Sequence, residues 1–257
     1  MGTSTEQVVD SLWTAFGSGD YQPEQWKGKL TVEQAYPVQL GMLARKLAGG
    51  EQQAGWKVGL TAPHMREMFG NPDPVFGHLL ASARKDSGHR FVHATLRSPA
   101  VESELMITLA SDLSGPSVTP QSARGAIASI APALEIVELG RAEMRRDLGL
   151  AIADNVSQAA FVHGAPIDFG ADLDFGAVQA KVEVNGEIVA DVVGKDVIDN
   201  QLQTLAWLAN TLHRFGRSLR AGDRIMTGSF TKPLPIGASA SVRTTFSGIG
   251  TVDARFD

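Results

Sequence analysis

The chain has 257 residues, 43% of them hydrophobic and 20% charged, which is the composition of a globular protein large enough for one or two domains. Its net charge of −5 gives no reason to expect a nucleic-acid partner, and the lack of cysteine excludes disulfides, thiolate catalysis and cysteine-based metal sites. No apolar stretch reaches membrane-spanning length and the N-terminus does not resemble a signal peptide. We therefore expect a cytoplasmic enzyme with neither a membrane nor a nucleic acid as partner.

The first part of the chain, residues 1–90, is predicted to be a small, largely helical region. A first amphipathic helix, with Ser4 or Thr5 as its cap, should end at Gly17. A second helix begins with the capping-box pattern of Thr31 and Gln34 and ends before Gly49.

Lys57 lies in a short predicted strand, Gly55–Leu60, and is followed by a short predicted helix, Thr61–Gly70, with Thr61 as its cap. The glycines beside this lysine allow a close approach of backbone or ligand. A partly buried lysine can stabilise an enolate or move a proton, whereas a strand lysine that faces water does neither. Taken alone, the pattern leaves both interpretations open and favours the second.

The rest of the chain, residues 91–257, is predicted to be a β-rich catalytic domain. Strands are expected at Val101–Ala110 and Ala133–Leu139, and Lys181–Asp191 should form a hairpin with a type I′ turn at its Asn-Gly dipeptide. A helix with leucines on one face runs from about Asp199 to Phe215. The fold class is therefore α+β.

Three acids lie in the two apolar strands. Glu102 and Glu104 share one strand face, and Glu135 lies in an equally apolar strand. Three carboxylates without a cysteine or a histidine cluster suit a hard divalent cation such as Mg²⁺ or Mn²⁺, with positions left for water and a chelating substrate. The alternative is that the strands are half exposed and the acids face solvent, which is the commoner arrangement for an isolated Glu-x-Glu.

The loop TGSFTKP follows a predicted strand and offers backbone N–H groups, hydroxyls and an ammonium. Thr227, Gly228, Ser229 and Lys232 are therefore candidates for binding a substrate carboxylate.

Asp154 and Asn155, in the segment ADNVSQA, precede an apolar run, and an ordinary cap or turn explains them as well as a functional role does. The chain contains no Walker loop, no G-x-G-x-x-G and no G-x-S-x-G motif, so nucleotide binding and serine hydrolysis lack support.

The chain resembles the 2-keto-4-pentenoate hydratase and 4-oxalocrotonate decarboxylase family, part of the fumarylacetoacetate-hydrolase-like superfamily. The resemblance covers about Thr31 to Phe256 and rests on blocks that occur in order: GWKVGLT, FGHLL, VESEL, PALEIVE, ADN, WLANTL, GDRIMTGSFTKPLP and GIGTVDARF. It implies a rolled mixed β-sheet with a helical N-terminal part, which agrees with the α+β pattern, and a homo-oligomer.

By this resemblance, Glu102, Glu104 and Glu135 match the family's ligands for Mg²⁺ or Mn²⁺, and Lys57 matches its active-site lysine. The implied substrate is a small 2-oxo acid that chelates the metal through its 1-carboxylate and 2-oxo groups. Hydrolases of the fumarylacetoacetate type usually have Asp as the third ligand, so Glu135 indicates the hydratase and decarboxylase branch. The segment GSFTKPLP looks most like hydratases that act on 2-oxo-hept-enedioate.

The chain also departs from the family. Val75 replaces an active-site acid, Ala100 stands where a basic residue is common, and Asn200 and Gln201 replace a His-Pro pair. The loop between residues 138 and 154 lacks the usual Asp-x-Arg signature. The metal ligands are retained while their acid–base surroundings have changed.

Three functions follow from this resemblance. The first is a hydratase that adds water to a 2-hydroxy-dienoate or 2-oxo-enoate acid through a metal-stabilised dienolate. The second is a 4-oxalocrotonate-type decarboxylase, since loss of CO₂ leaves the same charge to be stabilised. The third is a catalytically altered paralogue, which the replacements Val75 and Ala100 suggest. Hydrolysis of an acylpyruvate remains a further alternative.

Overall fold

The computed structural model describes residues 4–141, 143–170, 172–198 and 200–257. The α-helices are α1 (Thr5–Gly17), α2 (Val32–Ala48), α3 (Pro63–Phe69), α4 (Pro120–Gly125), α5 (Leu148–Ala153), α6 (Gly194–Val197) and α7 (Gln201–Arg214). The strands are β1 (Gln53–Gly59), β2 (Val75–Leu80), β3 (Arg84–Asp86), β4 (His89–Phe91), β5 (Pro99–Leu109), β6 (Ile127–Glu138), β7 (Gln158–His163), β8 (Ile167–Asp168), β9 (Gln179–Val184), β10 (Glu187–Val193), β11 (Arg224–Ser229), β12 (Leu234–Pro235), β13 (Ala240–Phe246) and β14 (Gly250–Phe256).

The first two helices begin where the capping patterns predict. Ser4 caps α1, and Thr31 caps α2 in a capping box with Gln34. The predicted cap of α3 is wrong: the N-cap is Ala62, not Thr61, and it makes no side-chain cap bond. Pro63 takes the first helical position and disfavours helical geometry in the residue before it, so the helix begins one residue later than predicted.

The larger sheet has nine strands, with the order β2-β1-β11-β5-β6-β7-β3 and with β12 and β8 paired to β5 and β6. Strand β1 runs parallel to β11, and here the expected close approach is found. Gly55 has a φ of +149°, and a Cβ at this position would lie 1.8 Å from the carbonyl oxygen of Arg224. A side chain would therefore push β1 away from its neighbour, and Lys57 with it.

The smaller sheet has five strands in the order β10-β9-β13-β14-β4. Its β9–β10 hairpin turns at Asn185 and Gly186, whose φ values of 53° and 84° confirm the predicted type I′ turn. A core of buried apolar side chains joins this sheet to one face of the larger one: Val101, Leu134, Ile136, Val162, Val182, Val242, Val252 and Ala254.

Helices α2 and α7 pack into a second core on β1 and β2. The ring of Tyr36 on α2 stacks on Phe76 of β2 at a centroid distance of 4.1 Å. Helix α7 confirms the predicted leucine-faced helix, although its N-cap is Asn200 and Asp199 lies outside the described residues.

Strands β1 and β2 come from residues 1–90 yet join the sheet that contains β5 and β6. The division of the chain at residue 90 remains a prediction. Among the described residues, the helices are too short or too polar to cross a membrane.

Candidate metal centre and active site

The pairing of β5 with β6 brings the three predicted glutamates together. Glu102 stands directly opposite Glu135, and Glu104 stands opposite Ala133, two residues along the same face. One carboxylate oxygen from each of the three lies within 4.8 Å of the others. We call this face of the sheet the carboxylate face.

These acids are poorly solvated. Glu104 and Glu135 are 2% and 1% exposed, and Glu102 is half-buried. Burial raises the pKa of Glu104 well above its ordinary value, and the neighbouring charges of Glu135 and Glu102 raise it further. Burial and the Glu135 charge raise the pKa of Glu102 to about 7, against the opposing effect of Lys57. The alternative in which these acids face solvent is therefore wrong for Glu104 and Glu135, and the buried charges need a compensating cation.

Lys57 supplies one positive charge to this group. It is 2% exposed, and its Nζ donates to Glu135 Oε1 at 2.6 Å and to the carbonyl oxygen of Val156 at 3.3 Å. The alternative of a water-facing lysine is excluded. Three carboxylates and one ammonium leave two negative charges when all four are ionised, and carboxylate oxygens are ligands suited to a hard divalent cation. The donor set therefore fits Mg²⁺ or Mn²⁺.

Gly228 orients one of the candidate ligands. Its backbone N–H donates to Glu104 Oε2 at 2.9 Å. Its φ is +102°, and a Cβ would lie 2.4 Å from Thr61 Oγ1, so only glycine fits here. The hydrogen bond opposes the effect of burial on the pKa of Glu104 and fixes one oxygen of its carboxylate.

Of the other predicted substrate-binding residues, Thr227 and Ser229 lie within β11, so the prediction that their segment follows the strand is wrong, and Lys232 lies just after β11. The Thr227 hydroxyl donates to the carbonyl oxygen of Leu105 at 2.9 Å, and the Ser229 hydroxyl donates to that of Ser103 at 3.4 Å. Lys232 is exposed. Both hydroxyls therefore help to hold the end of β11 against β5, and direct contact of these four residues with a substrate remains a prediction.

The sequence left the role of Asn155 open and gave no signal for Gly77 at this site. The side-chain amide of Asn155 forms two hydrogen bonds with the backbone of His78, and Gly77 lies between this amide and Lys57. The segment ADN was noticed, but an ordinary turn explained it equally well. The turn differs from an ordinary one in the positive φ of Asn155, Val156 and Ser157. None of these residues is a glycine, so the sequence does not indicate this geometry.

Three of the four positions that depart from the family are buried, and Asn200 is exposed. Val75 and Ala100 are fully buried, and Gln201 is 2% exposed. At Val75 and Ala100 the side chains present no ionisable group to the carboxylate face.

A second group of buried charges, the Arg141 cluster, lies at the end of β6. Arg141 forms ion pairs with Asp154 and Glu138, and Lys46 lines the same cavity as Arg141 and Glu138. The guanidinium also lies over the ring of Tyr21, 4.4 Å from its centroid. Burial raises the pKa of Asp154 to about 6, although Arg141 and Lys46 act in the opposite direction.

Comparison with protein families identifies residues 61–257 as a match to the C-terminal domain of fumarylacetoacetate (FAA) hydrolase. The chain is 33% identical to 2-hydroxyhexa-2,4-dienoate hydratase of Comamonas testosteroni, over 99% of this chain and 96% of that protein. It is 30% identical to 4-oxalocrotonate decarboxylase of Pseudomonas sp. strain CF600, over 88% of this chain and 86% of that protein.

Among solved structures, the fold is similar to that of 4-oxalocrotonate decarboxylase from Pseudomonas putida G7, solved as a complex with magnesium and adipate. The TM-score is 0.89 at 26% sequence identity, and the match covers 100% of this chain and 99% of that chain. The expected family and the mixed helical and curled-sheet fold are thereby confirmed.

Proposed function

We infer the function from one premise: the chain belongs to the fumarylacetoacetate (FAA) hydrolase C-terminal family. We propose that it is a metal-dependent hydratase, a carbon–oxygen lyase that adds water to a 2-hydroxy-dienoate or 2-oxo-enoate acid. The observation that carries this proposal is the buried group of three carboxylates with Lys57 among them. The similarity to a 2-hydroxyhexa-2,4-dienoate hydratase across nearly the whole chain supports this reaction.

Glu102, Glu104 and Glu135 would hold Mg²⁺ or Mn²⁺. When bound, the cation supplies Lewis-acid stabilisation of the negative charge that develops on a 2-oxo acid as it forms its enolate. The carboxylates are held by the β5–β6 register and, for Glu104, by the N–H of Gly228. Groups that are fixed in place before charge develops are the most effective at stabilising it.

Lys57 is proposed to move the proton. Its two hydrogen-bond acceptors, Glu135 and the Val156 carbonyl, account for two of its three N–H bonds and leave one for a substrate atom. A buried lysine held in this way can donate a proton to the dienol or dienolate and take one back from water as it adds to the conjugated double bond. Substrate orientation would come from Thr227, Gly228, Ser229 and Lys232.

The decisive assay follows the ultraviolet absorbance of 2-hydroxyhexa-2,4-dienoate and 2-hydroxypenta-2,4-dienoate in the presence of Mg²⁺ or Mn²⁺. A hydratase removes the diene absorbance and yields a 4-hydroxy-2-oxo acid, which mass spectrometry detects as the addition of one water. Full activity after treatment with a chelator, or no hydration across this panel, would overturn the proposal.

A second candidate function is decarboxylation of a 2-oxo-hexenedioate, favoured by the similarity to 4-oxalocrotonate decarboxylase in both sequence and fold. Loss of CO₂ leaves an enolate, so the same cation and lysine would serve. Release of CO₂ from 4-oxalocrotonate, measured beside water addition to the dienoates, separates the two reactions. Metal binding without turnover of either substrate class would favour the altered paralogue.

We also propose a homo-oligomer with a cytoplasmic location, both of which are expectations from the sequence. Light scattering coupled to size-exclusion chromatography tests the first, and cell fractionation tests the second. A mass equal to the 27.3 kDa chain in solution would contradict the oligomer.

A further inference from the structure

The turn between α5 and β7 has an uncommon backbone. Asn155, Val156 and Ser157 all have positive φ, at 57°, 54° and 56°. This region is strained for residues with a side chain, and most of all for a β-branched one such as valine. The chain has 27 glycines but none at these positions. Strain of this kind persists where the surrounding contacts over-determine the conformation.

The side chain of Asn155 ties this turn to β2. Its Oδ1 accepts from the N–H of His78 at 2.7 Å, and its Nδ2 donates to the carbonyl oxygen of His78 at 2.9 Å. Strand β2 stands at one end of the larger sheet's order, so these backbone groups face away from β1. The amide takes the place of a neighbouring strand at this one residue.

The same turn directs a carbonyl group at Lys57. The backbone oxygen of Val156 accepts from Lys57 Nζ at 3.3 Å, while Glu135 Oε1 accepts from the same nitrogen at 2.6 Å. The strained residue therefore contributes through its main chain to the position of the ammonium.

Gly77 packs between the two parts of this arrangement. A Cβ at Gly77 would lie 2.7 Å from Asn155 Oδ1 and 3.2 Å from Lys57 Cε. The amide, the lysine stem and β2 are thus in direct contact, and a displacement of the turn must move the side chain of Lys57 or lose its second acceptor.

We propose that Asn155 is a positioning residue for Lys57: by clamping the left-handed turn to β2, it holds the Val156 carbonyl as the second acceptor of the ammonium. The proposal rests on the proposed function, in which Lys57 moves the proton. When both acceptors bind the Lys57 ammonium, its third N–H bond points in a single direction. When Glu135 is its one acceptor, the ammonium can rotate about that hydrogen bond.

The test compares Asn155→Ala with Asn210→Ala. Asn210 makes the same pair of amide–backbone bonds, at 2.9 Å each, but to Val118, and it is the matched control for the loss of such a clamp. Asn155→Ala should lower kcat by about 100-fold through misplacement of the proton-transfer group. Its KM and its Mn²⁺ dissociation constant should stay within about threefold of wild type, since the carboxylates do not contact Asn155.

Gly77→Ala places a methyl group between the Asn155 amide and the Lys57 stem. It should also lower kcat and leave KM nearly unchanged. Because Gly77→Ala also crowds Lys57 directly, the variant that keeps the proposal falsifiable if Asn155→Ala does not fold is Asn155→Asp, which has a similar shape but lacks the Nδ2 donor to His78. Asn210→Ala should keep the wild-type kcat even where its urea midpoint falls. Folded Asn155→Ala (or Asn155→Asp) and Gly77→Ala proteins with the kcat of Asn210→Ala would overturn the proposal.

A second measurement does not depend on turnover. In metal-free protein labelled with ¹⁵N-lysine, the ammonium signal of Lys57 is assigned by its loss in Lys57→Met. We expect Asn155→Ala to shift or broaden this signal and Asn210→Ala to leave it unchanged. An unchanged signal in Asn155→Ala contradicts the positioning role. Failure of the wild type to hydrate any dienoate contradicts the proposed function instead, and the signal still decides the role of Asn155.

Discussion

Strand β6 contributes to two separate groups of buried charge, through Glu135 to one and through Glu138 to the other. The first, the carboxylate site, places the acids of the carboxylate face around the single ammonium of Lys57. The second, the Arg141 cluster, sets the acids Glu138 and Asp154 against Arg141 and Lys46.

Their charge balance separates them. In the Arg141 cluster two cations match two acids, and the guanidinium also bonds the carbonyl oxygen of Gln158 at 3.1 Å and lies over an aromatic ring. The charges of this cluster therefore balance without a ligand, although Arg141 Nε and Asp154 Oδ2 have no hydrogen-bond partner among the described residues. In the carboxylate site, three acids face one cation, and burial and repulsion raise the pKa values of Glu102 and Glu104. Buried charge that the protein leaves unbalanced indicates a site for a cation, whereas balanced buried charge indicates a structural tie.

The largest expected effect comes from removing one charge of the carboxylate site. Glu104→Gln should reduce turnover of a 2-hydroxydienoate by about 10³-fold and weaken Mn²⁺ binding in calorimetry, since a ligand and its charge are lost. The metal-free variant should have a higher urea midpoint than wild type because one repelling carboxylate is gone. Glu138→Gln, in the Arg141 cluster, is the control and should keep Mn²⁺ affinity. Equal Mn²⁺ affinity in both variants would remove the distinction between the clusters.

The second-largest effect is expected from removal of the Lys57 ammonium. Lys57→Met should lower kcat by about 10²–10⁴-fold, the range for a lost proton-transfer group, and should retain Mn²⁺ binding. Lys46→Met, at the Arg141 cluster, should keep kcat. The account fails if the two variants have similar kcat values under saturating metal and substrate.

Removal of the Arg141 guanidinium should lower the stability of the fold and leave metal binding unchanged. Arg141→Met leaves Asp154 and Glu138 without their shared partner, so we expect a loss of about 3–5 kcal/mol in the free energy of unfolding at neutral pH. Urea denaturation measures this loss, and calorimetry should find Mn²⁺ affinity unchanged. A stability equal to that of wild type would show that this cluster does not hold the fold.

The smallest effect is a pH dependence that belongs to Asp154. The pKa of its carboxyl is about 6 in the folded protein against an ordinary value of 3.8, so the folded state binds the proton more tightly than the unfolded state. Stability from this group is therefore gained as pH falls from 7 towards 4. The difference of about two pH units corresponds to about 3 kcal/mol. Wild type should gain this amount relative to Asp154→Asn over that range, and parallel stability curves for the two proteins would contradict it.

Local patterns in the sequence predicted local structure well. The cap of α1, the capping box of α2, the β9–β10 turn and the leucine face of α7 each depend on residues close together in the chain. Strand β2 was not predicted because its run of apolar residues has no period that separates strand from helix.

The sequence named the three acids that the fold brings together, but it did not give their geometry. The period of two placed Glu102 and Glu104 on one face, yet no local pattern sets the register that puts Glu102 opposite Glu135. The role of Asn155 was left open for a different reason. Its left-handed turn is held by contacts with β2 and Lys57, which lie far away in sequence, rather than by a glycine that would have marked it.

The central claim is that the carboxylate site needs a divalent cation for chemistry on a 2-hydroxydienoate. The most direct measurement is a calorimetric titration of chelator-stripped protein with Mn²⁺, followed by the dienoate assay on the same sample. We expect one Mn²⁺ per chain, no turnover before the addition and restored turnover after it. Full turnover by the stripped protein, with no Mn²⁺ bound, would contradict the account.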